Sequence, residues 1–155
     1  MMELVTPEEV EGIKCIEVIP GECEEILNKI VPEIIDLIKR VDKINKKSKC
    51  LGLAAPQVGI KKKFFVKYIW NGLYKTYFNG WYINNGSSRV MNKEGCYSYN
   101  VGRDYWTAKR WKSIIFFHDV FEEGKLIPHK TKFKGLDGFV IQHECDHLIG
   151  RTIFT

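Results

Sequence analysis

The stretch Gln142-His143-Glu144-Cys145-Asp146-His147 lies near the end of a 155-residue chain. On a helix, two histidines four positions apart are separated by about 40° of rotation and one turn of rise, so both imidazoles reach one ion. Glu144 sits about 100° round from His143, near enough to touch a water on that ion without ligating it. The pattern is H-E-x-x-H, in which two histidines hold a metal and the acid serves as general base. A helix with two surface histidines and an ion pair would carry the same letters. The rest of the chain has to supply or deny a third ligand.

Composition sets the frame. Hydrophobic residues make up 45% and charged residues 28% of the chain, the balance of a soluble globular protein with one domain over 1–155. No apolar run approaches the roughly 20 residues that span a bilayer, and the N-terminus lacks the features of a signal peptide. A cytoplasmic protein without membrane contact is expected. Cys15, Cys23, Cys50, Cys96 and Cys145 form no C-x-x-C pair, so free thiols or ligands are expected rather than disulfides. The net charge of +5 is modest. The lysines at 43, 46, 47, 49 and 61–63 read as solvated, although they would also favour transient approach to an anionic surface such as a ribosome.

The order of elements reads as α+β. Met1 to Pro20 is mixed, leaning to β around Cys15 to Ile19. A helix is expected from Glu22 to Ile44, with Ile26, Ile30, Ile34, Leu37, Ile38 and Val41 as its buried stripe. Pro32 predicts a kink, or a helix beginning there. Asn45 to Lys49 ends it. Cys50 to Gly59 is small and apolar, suited to close backbone approach, with Gln57 its one long polar side chain. A β-meander follows: Phe64 to Trp70, a turn at Asn71-Gly72, then Leu73 to Phe78, Gly80 to Asn84 and a turn at Asn85-Gly86. Its aromatic residues read as core, since no RNA-binding motif accompanies them. Tyr99 to Trp111 reads as irregular. Strands resume at Ser113 to Val120 and Leu126 to Phe133, and a final helix runs from Gly135 to the Gly150 cap. Leu136, Phe139, Val140, His143 and His147 share one side of that helix, so the metal face continues into an apolar stripe that could floor a pocket.

Residues 148–155, downstream of His147, contain no His, Asp, Glu or Cys, which removes the usual peptidase source of a third ligand. Upstream candidates are His118, His129 and the cysteines. The two histidines lie in strand-like runs, whereas Cys96 follows Gly95 in an irregular segment that can aim a thiolate inward. Cys96 is the choice. Cys96, His143 and His147 would leave a fourth position open for water, as a catalytic metal needs.

Three motifs now appear in order: Gly52-Leu53-Ala54-Ala55-Pro56-Gln57, Glu94-Gly95-Cys96-Tyr97-Ser98, and Gln142 to His147. In this the sequence closely resembles the peptide deformylase family, over most of the chain from Leu51 onward. The resemblance implies an α+β fold in which the H-E-x-x-H helix is central and packed by antiparallel sheets, with an N-terminal helix. It implies that Cys96, His143 and His147 bind the metal and that Glu144 is general base and acid. Gln57 and the Tyr97 backbone N–H would hold the oxyanion, and Gly52 would contact the substrate main chain. Leu51, Leu136, Phe139 and Val140 would help line a methionine pocket. The implied activity is hydrolysis of the formyl group from N-formylmethionyl nascent peptides, releasing formate. Zinc is the tighter fit to these donors, while the resemblance favours Fe(2+), with Zn(2+), Ni(2+) or Co(2+) as substitutes. No specific nucleic acid is implied, and a monomer is expected.

Cys50 stands where the family pattern has a glycine, Tyr97 where it has leucine, and Asn84-Asn85 where Ile-Asn-Pro would continue. Many bacterial members continue into a C-terminal helix implicated in ribosome docking. Without it, docking by that route is not expected here. Helix geometry places Asp146 beside the metal face, opposite Glu144, where it is expected to pair with an arginine, which the resemblance, by motif position, makes Arg110. Cys145 should pack behind the helix. Two other functions compete with the implied one: a peptidase cutting internal bonds, and a binding module around a closed metal site.

Overall fold

The structure, a computed structural model, describes residues 1–44, 49–99 and 106–153. The polar end expected for the first long helix (45–48) and the first part of the expected irregular stretch (100–105) lie outside these residues. A short helix α1 (Pro7–Val10) occupies part of the segment read as mixed. Its signal was present in the sequence, because Glu9 closes back on the Thr6 N–H at 2.8 Å and on the Thr6 hydroxyl at 2.9 Å. Of the expected β character only an isolated bridge, Ile16 to Lys62, remains.

Helix α2 (Pro20–Glu25) runs through a π-turn (Ile26–Ile30) into α3 (Val31–Ile44). Pro32 explains the turn. It has no N–H to give to the preceding turn, and the Val31 N–H reaches back to the Ile26 carbonyl instead, inserting one residue. The expected helix start at Pro32 is therefore met within one residue, although the chain stays helical across it. Ile34, Leu37 and Ile38 are buried along one stripe.

Strands β1 (Gly52–Ala54), β2 (Phe64–Trp70), β3 (Leu73–Asn84), β6 (Ser113–Glu122) and β7 (Lys125–Lys134) form one antiparallel sheet in the order β1-β2-β3-β6-β7. The two strands expected over 73–84 are one, carried through a bulge at Asn79 (φ 55°). Asn71-Gly72 turns β2 into β3 with both φ positive, as the sequence predicts. A second sheet pairs β4 (Arg89–Glu94) with β5 (Trp106–Trp111). Strand β5 corrects the reading of 106–111 as irregular. Ala108 and Arg110 face inward along it, and an inward arginine hides the apolar alternation that marks a strand.

Helix α4 (Gly135–Leu148) packs on one face of the large sheet through Ile141, Cys145 and Leu148, against Ala54, Phe65, Ile114 and Phe116. Leu53, Phe64, Val66 and Phe78 point to the opposite face and meet α2 and α3. The aromatic meander residues are thus mostly core, but Trp70 and Trp81 are exposed, with Trp81 stacked on Phe117 at 4.2 Å. The α+β architecture is the one expected, with α4 central. Residues 141–148 are buried all round rather than along a stripe, so every polar side chain on them needs a partner. The chain leaves α4 through Gly150 (φ +79°), where a Cβ would lie 2.6 Å from the Ile13 carbonyl oxygen.

Candidate metal centre

The donor atoms of Cys96, His143 and His147 lie within 4.8 Å of one another, all three residues buried. His143 Nε2 and His147 Nε2 face each other at 3.1 Å, and Cys96 Sγ lies 3.5 Å from His147 Nε2. The helix sets the first pair. The turn after β4, tightened into a 3₁₀ segment (Tyr97–Tyr99), sets the thiol. Among the described residues no fourth His, Cys, Asp or Glu joins this group. His118 and His129, the other histidine candidates, face each other across β6 and β7 instead.

The His143 Nδ1 lies 2.8 Å from a Glu94 carboxylate oxygen. That contact places the proton on Nδ1 and turns the Nε2 lone pair toward the thiol and the second imidazole. Burial opposes charge on His143, but Cys96 and Glu94 raise its pKa well above the usual range, while burial and His143 push His147 down. A buried N, N, S set of this kind fits a borderline divalent ion such as Zn(2+) or Fe(2+).

Glu144 lies beside this group. Its Oε1 is buried with no hydrogen-bond partner, and burial pushes its carboxyl up to about 7 against the pull of His143. A buried carboxylate oxygen without a partner belongs to a site that receives another molecule. Gly52 leaves the room for it, since a Cβ there would lie 2.6 Å from Glu144 Oε2. Gln57 accepts the Ala54 N–H at 2.9 Å, and its Nε2 is aimed at Ser98 Oγ (3.1 Å) and Cys96 Sγ (3.6 Å). The amide is thereby fixed with its donor end toward the cysteine.

A cleft opens above. Leu51, Gly52, Gln57, Cys96, Tyr97, Leu136, Phe139, Val140, His143 and Glu144 all line it, while His147 is buried beneath. The residues singled out from the sequence thus come together in one place.

Behind the centre runs a network that the sequence reading found only in part. Arg110 donates to Asp146 Oδ2 at 2.7 Å, the expected pairing. It also donates twice to Glu94, at 2.8 and 2.7 Å. Burial would raise Glu94, yet Arg110 and His143 hold its carboxyl down at about 2. Tyr82 donates its hydroxyl to Asp146 Oδ1 at 2.8 Å. Glu94 is the residue that sequence reasoning missed. Its position two before Cys96 on a strand was a signal, but the burial of a glutamate was not readable. Gln142, left without a role by the sequence, bridges the main chain of β5. Its Oε1 accepts the Trp111 N–H and its Nε2 donates to the Trp111 carbonyl, both at 2.9 Å. Cys145 packs in the core behind the helix, as expected.

An α+β fold with a buried Cys, His, His donor set, and a carboxylate beside it on the same helix, defines a hydrolase of the H-E-x-x-H metalloenzyme class. The family model for polypeptide deformylase matches residues 15–155, and the chain belongs to that family. The peptide deformylase of Karelsulcia muelleri is 29% identical over 134 residues, covering 84% of this chain and 68% of that protein. That of Pelotomaculum thermopropionicum is 32% identical over 123 residues, covering 79% and 74%. The crystal structure of a probable peptide deformylase from synechococcus phage S-SSM7 superposes with a TM-score of 0.71 at 25% identity, over 99% of this chain and 98% of that one. Among the described residues no helix is long and apolar enough to cross a membrane.

Proposed function

We propose that the chain removes the formyl group from N-formylmethionine at the start of newly made polypeptides, with Cys96, His143 and His147 as ligands to one divalent metal. The observation that carries this reading is the unpartnered Glu144 carboxylate oxygen beside the three converging donors. A bound metal would supply Lewis acidity and lower the pKa of the attacking water. The rest falls to the protein. Glu144 takes the proton from the water as it attacks the formyl carbon, and later delivers it to the leaving amine. The products are formate and a free N-terminal methionine. The Gln57 side-chain amide and the Tyr97 backbone N–H donate to the oxygen on which negative charge develops. Leu51, Leu136, Phe139 and Val140 offer an apolar surface for the methionine side chain, and Gly52 lets the peptide main chain approach Glu144.

The His143–Glu94–Arg110 chain supports the ligand role, because it fixes one imidazole in the tautomer and orientation a metal needs. We take Fe(2+) as the physiological ion, with Zn(2+), Ni(2+) or Co(2+) able to replace it, and a cytoplasmic monomer that meets nascent chains as its setting. The test is metal analysis together with formate release from formyl-Met-Ala-Ser, on protein purified without oxygen. Glu144→Gln should retain stoichiometric metal and lose about 10²–10⁴ in turnover. Undiminished turnover in that variant would end the general-base assignment. Cleavage of only an unformylated peptide would end the deformylase reading.

A further inference from the structure

Two residues that depart from the family pattern, Cys50 and Tyr97, meet at a third residue that no motif contains. Asp42 lies in the last turn of α3. Its Oδ1 accepts the Cys50 main-chain N–H at 2.9 Å and also the Tyr97 hydroxyl. The Cys50 thiol turns the other way and donates to the Gly52 carbonyl at 3.1 Å.

The contacts span the cleft. Cys50, Leu51 and Gly52 form one wall, while Cys96 and Tyr97 belong to the other. Leu51 is pinned on its far side by the Tyr68 N–H, at 2.9 Å from the Leu51 carbonyl. One oxygen on a third element thus ties both walls to α3. The same tie fixes the main chain at Gly52, which sits against Glu144, and at Tyr97, whose N–H faces the oxyanion under the function proposed above.

We propose that Asp42 is a positioning residue for substrate. By holding Cys50 and Tyr97 on one carboxylate oxygen, it sets the separation of the cleft walls and so the seat of the peptide main chain. Asp42 touches neither substrate nor metal, and acts through the two residues it holds. Its loss lets the 50–52 segment move away from the 96–98 turn and weakens peptide binding before it affects chemistry. The inference rests on the deformylase reading for the identity of the peptide but not for its geometry.

The test compares wild type, Asp42→Ala, Asp42→Asn, Tyr97→Phe and the Asp42→Ala/Tyr97→Phe double variant, all metal-loaded. Binding of the tripeptide Met-Ala-Ser is measured by calorimetry, and KM and kcat on formyl-Met-Ala-Ser by formate release. Asp42→Ala, which removes both hydrogen bonds, should weaken Met-Ala-Ser binding and raise KM by at least about fivefold, a larger change than any in kcat. The double variant should be no weaker than Asp42→Ala alone, and Asp42→Asn, which keeps an acceptor oxygen, should recover part of the loss. Wild-type Kd and KM in Asp42→Ala, even with a lower Tm, would reduce Asp42 to a structural strut and overturn the proposal. So would additive losses in the double variant. If the wild type released no formate, the deformylase reading would fall, while the Met-Ala-Ser affinities would still decide the role of Asp42.

Discussion

Arg110→Ala probes the network behind the centre. Arg110 is 5% exposed and gives three hydrogen bonds of 2.7–2.8 Å to two buried carboxylates, Glu94 and Asp146. Removing one partner of a buried ion pair costs about 3–5 kcal/mol, because the remaining charge is stranded. Here each carboxylate keeps other donors. Asn92 and His143 remain on Glu94, and Tyr82 remains on Asp146. A polar cavity lined by Arg110 and Asp146 lets water follow the deletion. The low end, about 3 kcal/mol, is therefore expected, and for a domain of this size that lowers Tm by about 6–12 °C. The acid limb reports on Arg110 and His143 together. Glu94 titrates at about 2 in the folded protein against 4.5 ordinarily. Its folded pKa is depressed, so its stabilisation is present above 4.5 and is lost as pH falls toward 2. At about 1.4 kcal/mol per unit this amounts to about 3–4 kcal/mol, shared between Arg110 and His143. Calorimetric melts of both proteins at pH 7, 4 and 3, with metal content measured in parallel, decide the matter. A Tm within about 2 °C of wild type at pH 7, with an unchanged acid limb, would refute the reasoning.

Gly52→Ala should fold and load metal, but its Cβ would displace Glu144 from a 2.6 Å contact. A shift of this size can cost about 10²-fold in kcat/KM by formate release, and full activity would show that Glu144 does not need this seat. His118 is buried between Tyr77 and Phe116, and burial, then Lys75 and His129, hold it down at about 4. Its folded pKa is depressed, so the unfolded chain takes up the proton first. Stability present above pH 6.5 is lost toward pH 4, by about 3 kcal/mol in full. His118→Phe should flatten that slope in urea titrations at pH 7 and 4, and equal slopes would place the acid sensitivity elsewhere.

The elements that could be read from the sequence are those whose local chemistry and tertiary role agree. Asn71-Gly72 is a hairpin turn in any context, and His143, Glu144 and His147 keep their relation on any helix. Cys96 was found by exclusion, since nothing after His147 could ligate. What escaped were residues whose role comes from partners distant in sequence. The Arg110–Asp146 pair was foreseen, but not the bonds from Arg110 to Glu94, and the inward charge masked the alternation that marks β5. Asn79 reads as a break between strands, yet it holds the Val18 main chain and Asp119, which lets β3 continue through its bulge. Asp42 looks like one more surface acid on an amphipathic helix until Cys50 and Tyr97 arrive from segments 8 and 55 residues away.

The Gln142 bridge has a consequence outside catalysis. Among the described residues β5 pairs with β4 alone, so its other side is a sheet edge. At Trp111 the side-chain amide of Gln142 fills that edge as the next strand's peptide group would, with one donor and one acceptor. A foreign strand could pair at Trp111 only by evicting the buried Gln142 side chain of α4. The residue for which the sequence offered no chemistry thus closes the sheet edge at Trp111.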